Sequence, residues 1–89
     1  MDQLQKARET INSVDEQMAK LFAQRMDAVK EIAAYKQKMG LPVMDEAREQ
    51  IVLERNLSAY PDAETKQFYA SFLREVMNLS KCYQNSLRD

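Results

Sequence analysis

This 89-residue chain has no histidine and no tryptophan, and it has one cysteine, one glycine and two prolines. Without His and with a single Cys it cannot form an intramolecular disulfide, a Cys/His zinc site, a His-ligated metal site or a His-based triad. One glycine leaves no phosphate-cradling loop of the GxGxxG or GxxxxGK type. An excess of one charge is lacking too: 13 Lys+Arg face 14 Asp+Glu, a formal net charge of -1. That balance gives no global attraction to nucleic acid or to acidic lipid. No run approaches the roughly 18 uninterrupted apolar residues of a membrane span. The opening MDQLQKARET lacks the apolar core of a secretory signal. The expectation is a soluble cytoplasmic protein that works without metal or cofactor.

What is present is helix-forming. The chain is 45% hydrophobic and 30% charged, enough of both for one small folded domain over residues 1–89. Gly40-Leu41-Pro42 and Ala59-Tyr60-Pro61-Asp62 punctuate it. Three segments rich in helix formers remain: one long, one short and one medium. The first runs from about Asp2 to Met39. Leu4, Ala7, Ile11, Val14, Met18, Leu21, Arg25, Ala28, Ile32, Tyr35 and Met39 alternate spacings of three and four without a slip, which is a heptad seam. Gly40 reads as its C-terminal cap. Asp45 reads as the N-cap of the second segment, which ends near Leu57 or Ala59. The third is expected to start after Pro61 with Asp62 as N-cap and to end near Leu87, on a seam of Tyr69, Leu73, Val76, Ser80, Tyr83 and Leu87.

Length bears on assembly. A first helix of about 38 residues is roughly 55 Å long, whereas a compact globule of this size is roughly 30 Å across. The helix cannot bury its whole seam within its own chain. A partner is expected, most simply a second copy related by two-fold symmetry.

Polar residues occupy inward positions on all three helices. Arg25 stands on the first seam, where a guanidinium needs either an acidic partner on another helix or an anionic ligand. Lys36 follows eleven residues later on nearly the same face, roughly 16 Å along the axis. Arg48 and Glu49 fall in the first turn of the second helix, where the dipole disfavours a cation, so Arg48 is not a cap. Ser80 and Gln84 are four apart and face one way. Together they point to a polar pocket within a bundle. Arg8 lies roughly 25 Å before Arg25 and about 100° around the helix. It is either an ordinary solvated arginine or a residue serving the same kind of pocket from a partner chain. The pocket has cations, a carboxylate and neutral hydrogen-bonding groups but no activated nucleophile. Cys82 has no His beside it and reads as a packing residue. Such a site suits a reaction in which the substrate exchanges its own bonds while the protein selects a conformer and stabilises separated charge.

The chain resembles the all-helical chorismate mutases, the AroQ class (type II), along essentially its whole length. The matching elements are Arg8 in ARETINSVDEQM, Arg25 in FAQRMDAVKEIAAYK with Lys36 ending that run, PVMDEARE, and Ser80 with Gln84. The resemblance implies an all-α fold in which three-helix chains intertwine as a homodimer with two equivalent sites. It implies a Claisen rearrangement of chorismate to prephenate without a cofactor. Arg25 would bind one substrate carboxylate, and Arg8 would enter from the other chain to bind the second. Lys36 and Gln84 would hydrogen-bond the ether oxygen, Glu49 would accept from the ring hydroxyl, and the Asp45 backbone amide would lie nearby. Ser80 would assist at a carboxylate, and Arg48 would support the anionic substrate. No fused regulatory domain is expected, although small mutase-like domains can act beside other shikimate-pathway enzymes.

Three other readings fit parts of the sequence. An isochorismate-pyruvate lyase would use a similar cationic pocket on the same fold. A non-catalytic helical module of the same pathway would not need Lys36, Glu49 and Gln84 together. A plain homodimeric coiled coil accounts for the seam but leaves Arg25, Ser80 and the short second helix unexplained.

Overall fold

A computed structural model describes residues 2–88. Met1 and Asp89, the two ends of the expected single domain, lie outside the described residues. Three helices follow in order: α1 (Gln3–Lys38), α2 (Glu46–Ala59) and α3 (Lys66–Ser86), with no strand among the described residues. The expected all-α chain of one long, one short and one medium helix is what forms. None of these helices is long and apolar enough to cross a membrane.

The ends of α1 and α2 follow from local chemistry. The Asp2 side chain caps α1 by accepting from the Gln5 amide at 2.7 Å. At the other end Gly40 adopts φ 69°, which a side chain would strain. This lets Leu41 N–H donate to Lys36 O at 2.8 Å and Gly40 N–H to Gln37 O at 3.3 Å, the paired bonds of a Schellman motif. Asp45 caps α2 by accepting from the Arg48 amide at 3.0 Å. The intervening loop is tied down twice more. Lys36 Nζ donates to Val43 O at 2.9 Å, and Arg88 Nη2 donates to Leu41 O from beyond the end of α3.

The start of α3 differs from expectation. Asp62 is not its N-cap; Thr65 is, without a side-chain cap bond. The Asp62 carboxylate instead accepts from Glu64 N–H at 3.1 Å and Thr65 Oγ1 at 2.7 Å, closing a local turn. Tyr60 holds that turn in place. Its hydroxyl pairs with Thr65 Oγ1 at 2.6 Å, and its ring stacks on Tyr69 with centroids 4.6 Å apart. Cys82 is a second correction: it is exposed rather than packed. It lies two residues from both Ser80 and Gln84, so about 200° around α3 from each.

α3 is the central element, and both α1 and α2 pack against it. Its buried face carries Ala70, Leu73, Val76, Met77, Ser80 and Gln84; of the expected seam, Tyr69 and Tyr83 are only half-buried and Leu87 is exposed. From α1 only Val29 and Ala33 are buried, and every residue from 3 to 24 is exposed. The chain measures 55 × 25 × 15 Å with a radius of gyration of 16.3 Å. A compact globule of this length would have about 12 Å. Leu4, Ile11, Val14, Met18, Leu21 and Phe22 all stand out from the chain on the free half of α1. Beside them opens an apolar groove of about 770 Å³, whose walls include Leu21, Phe22, Val52, Phe72 and Leu79.

Candidate active site

A smaller cleft of about 220 Å³ lies where the C-terminal half of α1, the start of α2 and the end of α3 meet. Arg25, Lys36, Asp45, Arg48, Glu49, Ser80 and Gln84 all line it, together with Lys81 and the apolar walls Val29, Ile32, Val52 and Met77. Seven of the eight site residues expected from sequence therefore come together. Arg8 does not: it is exposed near the opposite end of α1, about 25 Å along the helix from Arg25.

Arg25 has no carboxylate partner among the described residues. Its Nη1 donates to Ser80 Oγ instead. The Ser80 hydroxyl is buried and donates in turn to Val76 O at 2.9 Å. With that proton engaged, the Ser80 oxygen acts as an acceptor and sets the direction of the guanidinium. The choice left open by the sequence, an acidic partner or an anionic ligand, is thus narrowed within this chain. A half-buried guanidinium keeps most of its five N–H donors for other acceptors.

Lys36 is half-buried in the last turn of α1, where the helix dipole favours a cation. One of its three donors goes to Val43 O, which fixes the ammonium at the cleft wall. Gln84 is only 7% exposed, and its Oε1 has no hydrogen-bond partner among the described residues. A buried amide acceptor without a partner is costly in an ordinary core. Here it belongs to a side chain lining a polar cleft.

The first turn of α2 forms the third wall. Asp45, Arg48 and Glu49 stand around a helix N-terminus, whose dipole attracts anions. Asp45 and Arg48 are exposed at the rim, and Glu49 is partly buried. Glu49 Oε2 pairs with Lys81 Nζ at 3.0 Å. Lys81 was missed by sequence reasoning. The available signal was its place three residues before Gln84, which turns it toward the same side of α3. The cleft thus holds four cations, Arg25, Lys36, Arg48 and Lys81, against two carboxylates, Asp45 and Glu49. An excess of two positive charges around a neutral amide is the electrostatic complement of a small dianion bearing hydrogen-bond acceptors.

Comparison with known proteins bears on the same residues. The profile of the family described as chorismate mutase type II matches residues 7–85. A chorismate mutase of Methanocaldococcus jannaschii is 31% identical over 55 residues, which is 62% of this chain and 56% of that protein. The matched stretch thus spans little more than half of that relative's length. The family match begins just before Arg8 and ends just after Gln84, so it takes in the whole cleft and the exposed half of α1, and the chain belongs to the chorismate mutase type II family.

Proposed function

We propose that this protein is a chorismate mutase, converting chorismate to prephenate by a Claisen rearrangement within the cleft between α1, α2 and α3. The observation that carries the reading is the convergence of Arg25, Lys36 and the buried Gln84 amide on one small cleft with a net positive lining. The reaction is pericyclic. One C–O bond breaks as one C–C bond forms within the same molecule, so the residues need only hold and stabilise. That requirement fits a lining without thiol or imidazole.

Each side chain has a part in this scheme. Arg25, aimed by Ser80, grips one carboxylate of the dianion, and Arg48 adds positive potential at the rim. Fixing both carboxylates favours the compact conformer in which the new C–C bond can form. Negative charge grows on the ether oxygen as the C–O bond breaks. Lys36 and the Gln84 amide donate to that oxygen, and only bonds that strengthen in the transition state raise the turnover rate. Glu49 accepts from the ring hydroxyl, near the Asp45 amide at the N-terminus of α2.

The second carboxylate needs a cation that one chain does not bring to its own cleft. Arg8 is the candidate, delivered by a second copy of the chain. Two structural facts support an intertwined homodimer. Every apolar side chain on residues 3–24 of α1 is exposed, and the 770 Å³ groove beside them can receive apolar side chains from a second copy. Moreover, the buried apolar core among the described residues consists of only Val29, Ala33, Ala70, Leu73, Val76 and Met77. That is a small core for a chain of this length to fold on alone. A cytoplasmic location fits an exposed, unpaired Cys82.

The test is direct. Purified protein is incubated at neutral pH with chorismate and, separately, with isochorismate, without added cofactor. Loss of chorismate absorbance with appearance of prephenate supports the reading. Release of pyruvate from isochorismate without prephenate formation would replace it with a lyase.

A further inference from the structure

Lys81 has no part in the scheme above, yet it forms the one ion pair among the described residues and does so inside the cleft. Its ammonium bridges two elements: it donates to Glu49 Oε2 of α2 at 3.0 Å, and it lies 3.7 Å from Met44 Sδ in the preceding loop. The two side chains are 26% and 27% exposed. At that exposure an ion pair adds little to stability, so the fold itself gives it no strong purpose.

The cleft gives it one. A dianion entering beside the Glu49 carboxylate meets like charge, and at short range in a partly dry site that repulsion is substantial. Lys81 offsets it, and without Lys81 the excess of positive lining charge falls by half. The geometry also matters. Binding Oε2 to a cation leaves Oε1 as the acceptor and removes the rotational freedom of a long carboxylate side chain. We propose that Lys81 is a positioning residue: it holds the Glu49 carboxylate aimed into the cleft and offsets its charge, so that this carboxylate can accept from the hydroxyl of a dianionic substrate without repelling it. The assignment rests on the reading of the cleft as a chorismate site, and it adds a residue that acts through Glu49 rather than on the reacting atoms.

The experiment compares the full chain with Lys81→Met, Lys81→Arg, Glu49→Gln and the double variant Lys81→Met/Glu49→Gln, each checked for the parental helical spectrum. Lys81→Met should lower kcat/KM for chorismate about tenfold, the order expected for a misplaced substrate contact. Lys81→Arg, which keeps the charge, should recover most of that loss. In the Glu49→Gln background, Lys81→Met should change kcat/KM by less than about twofold, because the group it positions is no longer charged. A purely structural lysine would give the same loss in both backgrounds, and that result would overturn the proposal. So would a Lys81→Met chain within about twofold of the parent. A second readout needs no turnover: the ammonium resonance of Lys81, followed by ¹H–¹⁵N NMR, should move in Glu49→Gln. If the parent fails to convert chorismate, the mutase reading falls. The pairing is then judged on that resonance alone, and an unmoved signal rejects it.

Discussion

The two halves of α1 share one helix and one unbroken seam, yet they differ in what covers them. Residues 25–38 lie along α3, where Val29 and Ala33 are buried and Arg25 and Lys36 are partly so. Residues 3–24 are all exposed, Leu21 to 64%. The heptad spacing is equally regular in both, so periodicity alone does not say which stretch a chain packs against itself. Placement in the bundle decides that. The short α2 and the central α3 reach only half of a helix as long as α1. The covered half brings Arg25 and Lys36 to the cleft, and the free half carries Arg8, the expected cation that this cleft lacks.

Substitutions can break that comparison. The largest effect is expected from charging the free half. In a monomer, Leu21→Asp with Phe22→Asp would be a surface change of little consequence. If a second copy covers that face, the pair should abolish self-association in sedimentation analysis and take mutase activity to background. Next comes Lys36→Ala in the covered half, which should lower turnover by at least about 10²-fold, as for loss of one transition-state donor. Near-normal turnover in that variant would remove Lys36 from the mechanism. A smaller effect belongs to the junction beyond α1. Gly40→Ala meets no steric obstacle, but it places a side chain at φ 69°. Thermal or urea melts should show a loss of about 1 kcal/mol, as for other residues forced into the left-handed region. The smallest is a null effect. Gln84 is an amide and does not titrate, so no activity change between pH 5 and 8 should trace to position 84 when pH profiles of the parent and Gln84→Ala chains are compared.

Much of the fold and cleft was legible because the signals are local or strongly unfavourable elsewhere. Asp45 and Gly40 mark helix ends through bonds to residues three to five away. Arg25 and Ser80 stood out because polar groups on an apolar seam need partners. The start of α3 was not legible, because Asp62 can cap a helix or close a turn with equal local chemistry. The Tyr60–Tyr69 stack, made only when α3 is in place, accompanies the turn. Cys82 was misplaced for a related reason: a small apolar residue within a helical pattern says little about which side of the helix it takes. Lys81 was missed because a lysine on a helix is ordinary, and its partner Glu49 lies on another element.

The central claim is that the free half of one α1 completes the cleft of a second chain, and subunit mixing tests it most directly. Arg8→Ala and Arg25→Ala chains, each inactive alone, are combined in equal amounts under conditions of proven subunit exchange. A shared site leaves one intact cleft in each mixed dimer, so activity should return to about a quarter of the parental value under random pairing. No recovery in fully exchanged material would contradict the account and place each cleft wholly within one chain.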